Sequence, residues 1–203
     1  MQRLAASGDG CLEVLVRRPM PAPTVGADRI HLHVVDFAAL PSGLPATDDV
    51  YIALGTTIKV AGSEAAFRAV DFDAVVAVAR AGRVAGATRL AVVSALGADA
   101  RSRVFYNRVK GDMQAAVAGL GYASVVIAQP SLLMGDRAAL GQPVRGGEVL
   151  AARLLRPVMG LVPRGVRPIA SDAVAEALLR ATLAAQPGVR ILTSSQMQER
   201  ARS

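Results

Sequence analysis

At 203 residues, 52% hydrophobic and without tryptophan, the chain suits one domain with an alanine- and valine-rich core, and no apolar run reaches the roughly 20 residues of a membrane span. The net charge of +7 comes without a basic block, a zinc-ligand cluster or interleaved aromatics, so no nucleic-acid partner is expected. A local group, Arg145, Arg153, Arg156, Arg164 and Arg167, would suit phosphates or an acidic partner. The lone Cys11 excludes an internal disulfide and, with no N-terminal apolar stretch of signal-peptide length, reads as cytoplasmic.

In chain order, Leu12–Val16 and Ile30–Val35 read as strands, and Val50–Leu54 as a third that ends at Gly55. The stretch from Phe72 to Gly86 is an amphipathic helix, opened by Asp71 or Asp73 as a cap and stopped by Gly86. Arg89–Ser94 is a buried strand, residues 103–119 are helical, and Ser124–Gln129 is another buried strand. A helix begins at Ser171, read as its cap, and Val189–Thr193 is a last short strand. His31 and His33 alternate on one strand face without an evident Cys or carboxylate partner, so they read as packing or surface residues. No repeat or linker divides residues 1–203, and 138–168 is expected on the substrate side.

Strands that are apolar throughout and separated by helices predict an α/β fold with a parallel sheet covered on both faces. Ligands of such sheets bind beyond the carboxyl ends of the strands. That directs attention to Arg17 and Arg18, Asp36, Gly55 and Thr56, Ser94, and Pro130, Ser131 and Leu132.

Among these segments one pairing carries chemistry. Tyr106 and Lys110 stand four apart on the predicted helix, so they share a face. The chain has only two lysines against twenty-one arginines. A free phenol titrates near pH ~10, and a neighbouring ammonium would lower that value toward the range useful for acid–base catalysis. Lysine is also a compact donor suited to ribose hydroxyls. Taken alone, the pair reads as a surface lysine beside a half-buried tyrosine. Ser94 adds to it, standing just after a buried strand and twelve residues before Tyr106, where a hydroxyl would hold a substrate carbonyl; the same serine would serve as a turn cap.

The segments LGTTIKVAGSEAAFRAVDFD, VVSALGADARSRVFYNRVKGDMQ and QPSLLMGDR, in this order, resemble the atypical short-chain dehydrogenase/reductases, and within them the Tat-interacting-protein-like oxidoreductases. The resemblance implies a Rossmann-type doubly wound sheet and a Ser94–Tyr106–Lys110 catalytic group. It implies NADP as cofactor, with Arg17 and Arg18 at the 2′-phosphate, Asp36 at the adenine, and Gly55 and Thr56 on the ribose side. Lys110 would hold the nicotinamide ribose, and Pro130, Ser131 and Leu132 would lie near the nicotinamide. Lys59 would sit near the mouth of that site.

The resemblance also has a gap. The family pattern opens with a strand and a Gly-x-x-Gly-x-x-Gly turn that places a helix N-terminus against the pyrophosphate. Gly8 to Cys11 holds two glycines with no strand before them, and the residues before it read as the end of a helix. The expectation is that the natural reading frame starts upstream. A sheet without that strand has two unpaired edges, which encourage self-association. The functional expectation is an NADP-dependent oxidoreductase acting on a small carbonyl or alcohol. The alternative is a non-catalytic cofactor-sensing or scaffold protein, or a shortened form that binds no cofactor.

Overall fold

The apolar strand–helix alternation folds, among the described residues, as a four-stranded parallel sheet with helices packed on both faces and two separate two-stranded parallel pairs. The structure, a computed structural model, describes residues 2–6, 10–21, 26–134 and 165–200. Most of the 138–168 segment, with Arg145, Arg153, Arg156 and Arg164, lies outside the described residues.

Strands β1 (Leu12–Val16) and β2 (Ile30–Val34) pair in parallel, Leu12 opposite Ile30. Strands β3 (Asp49–Ile52), β4 (Arg89–Val93), β5 (Ser124–Gln129) and β8 (Gly188–Thr193) form a four-stranded parallel sheet in that spatial order. A short pair, β6 (Leu133–Met134) and β7 (Ile169–Ala170), lies between β5 and β8 in sequence. The helices are α1 (Gln2–Ala6), α2 (Ile58–Ala61), α3 (Glu64–Arg68), α4 (Val75–Val84), α5 (Phe105–Ala118), α6 (Ser171–Leu183) and α7 (Ser194–Arg200). None of them is long and apolar enough to cross a membrane.

Side chains alternate across a strand, and the two faces of the large sheet have different covers. Val50, Ile52, Leu90, Val92, Val125 and Ile127 pack under α4 and α5 with Val75, Val76, Met113 and Val117. Ala91, Val126, Ala128 and Leu192 pack under α6 with Val174, Ala177, Leu178 and Ala181. The second face mixes alanines with larger apolar residues on both sides.

One expected helix start is displaced. Neither Asp71 nor Asp73 caps the central helix. The helical run begins at Glu64, with the Ser63 hydroxyl accepting from the Ala66 amide at 3.1 Å. It then passes through a wide π-type turn over Ala69–Ala74 into α4. Asp71 lies inside this run, in the core.

The β1–β2 pair shares no strand hydrogen bonds with β3, so the parallel strands fall into separate sheets. No strand among the described residues joins them.

Candidate functional site

Because its strands are parallel, the large sheet delivers the residues after β3, β4 and β5 to one edge. There Gly55 and Thr56 leave β3, Ser94 leaves β4, and Pro130 to Leu132 leave β5. Helix α5 brings Lys110 to the Gly55–Thr56 turn, with Tyr106 one helical turn earlier on the same helix.

Lys110 is 4% exposed and Asp71 1%. The Lys110 Nζ lies 2.7 Å from Asp71 Oδ1. Oδ1 receives no aligned hydrogen bond, so charge attraction makes this contact. Asp71 Oδ2 accepts the Thr56 backbone N–H at 2.8 Å. A Cβ added at Gly55 would sit 3.4 Å from Asp71 Oδ1 and 3.9 Å from Lys110 Nζ. These are ordinary contacts, and they show that Gly55 passes directly over the ion pair.

Tyr106 is half-buried, its ring tilted against Phe67 with centroids 5.4 Å apart. Its phenol is pushed above the ordinary tyrosine value, first by burial and then by the Asp71 carboxylate. The net shift is opposite in direction to the lowering expected from a neighbouring ammonium. The ammonium faces Asp71, and the environment of Tyr106 favours the neutral phenol.

Ser94 is also placed differently from the expectation. It is buried, and its Oγ accepts from Gln114 Nε2 at 2.6 Å. Gln114 Oε1 in turn accepts from Gln129 Nε2 at 3.1 Å. Gln114 lies two helical turns beyond Tyr106, so the Ser94 hydroxyl is engaged deeper along α5. No hydrogen bond joins it to Tyr106.

The remaining expected residues divide into tied and free. Ser131 Oγ bonds Ser194 Oγ at 2.9 Å and donates to the Arg167 carbonyl, fastening the turn after β5 to α7. Pro130 is buried and its carbonyl accepts from the Leu96 amide at 2.9 Å, while Leu132 is 62% exposed. Arg17 and Arg18 are exposed just after β1. Asp36, after β2, accepts the Ala38 amide through Oδ1 at 2.9 Å, a turn of its own making. Lys59 is exposed on α2.

His31 and His33 do have a carboxylate partner, contrary to the expectation. Both hydrogen-bond the Glu13 carboxylate from the adjacent strand, His31 Nδ1 at 2.8 Å. Those bonds hold the Glu13 carboxyl below the usual range. Among the described residues, no group of three or more His, Cys, Asp or Glu side chains could hold a metal ion.

Sequence reasoning missed Asp71 and Gln114 as site residues. A signal for Asp71 was present. It stands four residues after Phe67 and four before Val75, both fully buried. A carboxylate in the middle of an apolar stripe requires a buried partner.

No protein-family model matches the chain. In sequence it is 35% identical over 139 residues to the protein FMP52, mitochondrial, of Coccidioides immitis, a match covering 62% of this chain and 56% of that protein. It is 36% identical over 124 residues to the protein of the same name from Eremothecium gossypii, covering 61% and 54%. The chain therefore spans little more than half the length of the curated relatives it matches. Both relatives are named as mitochondrial, which overturns the cytoplasmic expectation drawn from a lone cysteine. In structure it is similar to MoeE5 in complex with UDP-glucose and NAD, with a TM-score of 0.67 at 15% identity, covering 97% of this chain and 74% of that one. It is similar also to the UDP-glucose 4-epimerase of Thermotoga maritima with UDP-glucose, with a TM-score of 0.61 at 14% identity, covering 98% and 75%. These likenesses establish a Rossmann-type parallel α/β fold.

Proposed function

We propose that this chain is a nicotinamide-dependent oxidoreductase-type domain, of the short-chain dehydrogenase/reductase kind and its Tat-interacting-protein-like branch. Tyr106 exchanges a proton with the oxygen of a small carbonyl or alcohol substrate. The observation that carries this reading is the juxtaposition of Tyr106, the buried Lys110–Asp71 pair and the Gly55–Thr56 turn at the carboxyl edge of the parallel sheet. The raised phenol keeps its proton near neutral pH, which suits Tyr106 as a proton donor to a carbonyl oxygen. The NAD in the MoeE5 complex supports a nicotinamide cofactor.

The residues present fit parts of such a cofactor. Arg17 and Arg18 are exposed guanidinium groups that would clamp a 2′-phosphate, favouring NADP. Asp36 has one free oxygen for the adenine end, Gly55 and Thr56 offer backbone to the ribose side, and Lys110 lies beneath them. Pro130, Ser131 and Leu132 would border the nicotinamide, which supplies the hydride when bound. No glycine-rich turn for the pyrophosphate occurs among the described residues. The separation of β1–β2 from the large sheet favours a second reading, a protein that senses cofactor or serves as a scaffold without turnover.

A thermal-shift titration with NADPH and NADH, followed by turnover assays over a carbonyl panel, tests both. A ligand that binds only the folded state raises the melting temperature. The expected result is a larger shift with NADPH than NADH, lost in an Arg17→Ala/Arg18→Ala variant. Turnover should be abolished in Tyr106→Phe with the NADPH shift kept. A shift without turnover selects the second reading, and no shift with either cofactor overturns both.

A further inference from the structure

We infer that Asp71 is a positioning residue of this site: one buried carboxylate fixes both the Lys110 ammonium and the Gly55–Thr56 turn beside Tyr106. The inference rests on the proposed function only in taking Tyr106 as the acid–base group.

The argument starts from cost. Removing two charges from water is unfavourable, and a well-packed apolar pair of similar volume would stabilise the fold at least as well. Stability alone therefore gives no reason for a lysine and an aspartate at this depth. What the pair provides is geometry. Asp71 uses both oxygens in different directions, Oδ1 toward Lys110 on α5 and Oδ2 toward the Thr56 amide after β3. Three separate elements are thereby joined at one point, directly below Gly55. The wide turn over Ala69–Ala74 that carries Asp71 is a rare helical form, found disproportionately at functional sites.

The pair also sets the charge felt by Tyr106. After burial, the carboxylate favours the neutral phenol, while the Lys110 ammonium is held against that carboxylate. Other charges on the surrounding elements are engaged or outward. Arg68 on α3 pairs with Asp112 on α5 at 3.0 Å, and Arg108 donates to the Ser102 carbonyl at 3.0 Å. Glu64 and Asp73 are exposed. Removing the Asp71 charge leaves a free ammonium one helical turn from the phenol, which favours the phenolate.

Two measurements on the protein without cofactor test this. Tyrosine ionisation is followed by ultraviolet absorbance, and subtracting the Tyr106→Phe variant isolates Tyr106 from Tyr51 and Tyr122. Reductive methylation reports lysine access, with exposed Lys59 as an internal reference. In the wild type Lys110 should be protected. In Asp71→Asn it should lose that protection, and Tyr106 should ionise at lower pH. Unchanged protection, or an unchanged Tyr106 midpoint, overturns the inference. Should Asp71→Asn fail to fold, Lys110→Met is compared with the double variant Asp71→Asn/Lys110→Met, which leaves no unpaired charge. Tyr106 should then ionise at higher pH in the single variant, and coincident midpoints overturn the inference. Because neither readout involves cofactor or turnover, a chain that binds no nicotinamide cofactor still tests the role of Asp71.

Discussion

Tyr122 shows at a single residue how burial becomes a pH dependence. Its hydroxyl donates to the Ala79 carbonyl at 2.6 Å, under α4. Burial pushes its phenol up to about 12. Tyr51 and Tyr106 are raised as well, burial again the leading cause. An unfolded tyrosine loses its proton near pH ~10, whereas these hold theirs higher in the folded state. Above pH ~10 the unfolded chain therefore binds fewer protons than the folded one, and stability falls as pH rises. Melting temperature measured against pH should decline through this alkaline window. In Tyr122→Phe the decline should be shallower, with about 1 kcal/mol lost at neutral pH for the missing hydrogen bond. An equally steep decline in that variant would remove Tyr122 as a contributor. At this scale the sequence was only partly readable. The Tyr106–Lys110 spacing identified a shared helix face. The sign of the Tyr106 shift came first from burial and then from a carboxylate thirty-five residues away, and local spacing carries no information about either.

Helix α5 is the element on which the candidate site depends, and its fit against the preceding loop hangs on one glycine. A Cβ at Gly111 would lie 2.0 Å from the Ala100 amide nitrogen and 2.2 Å from the Asp99 carbonyl carbon. Alanine is the better helix former by about 1 kcal/mol. Backbone this close has no room to yield, so Gly111→Ala should instead destabilise by about 1–3 kcal/mol. Gly119, at the end of the same helix, has nothing nearer than 3.6 Å to an added Cβ, and Gly119→Ala should be close to neutral. Urea denaturation of the two variants checks the contrast, and equal midpoints would show that the loop moves aside. Element identity was largely legible, because apolar runs bounded by glycine or polar residues are strong local signals. Leu12–Val16 and Ser124–Gln129 have the strand limits their patterns indicate. The run from Glu64 was harder to read, because the wide turn at Ala69–Ala74 breaks the 3.6-residue period and hides the continuity of α3 with α4.

For the whole molecule, the separation of β1–β2 from the four-stranded sheet should distribute stability unevenly. Strands β4 and β5 are almost wholly buried, under helices on both faces. Strand β1 has no fully buried residue and β2 has only Ile30. Isolated two-stranded sheets are marginal in water, and regions with few buried apolar contacts open at lower free energy than the core. Yet β1 and β2 end at Arg17, Arg18 and Asp36, the groups assigned to the adenine end of the cofactor. In the proposed binding mode the nicotinamide end would thus meet the well-buried surroundings of Tyr106 and Lys110, while the adenine end would meet strands with few buried residues. Cofactor binding should accordingly be coupled to ordering, and part of the binding free energy should appear as increased protection of β1 and β2. Hydrogen exchange resolved by segment gives the test. Without ligand, the amides of Leu12–Val16 and Ile30–Val34 should exchange well before those of Arg89–Val93 and Ser124–Gln129. With NADPH, the largest slowing should fall on the first two segments. Equal protection of all four strands without ligand would mean that the two sheets open together as one cooperative unit, and the arginines would then be as firmly placed as the tyrosine.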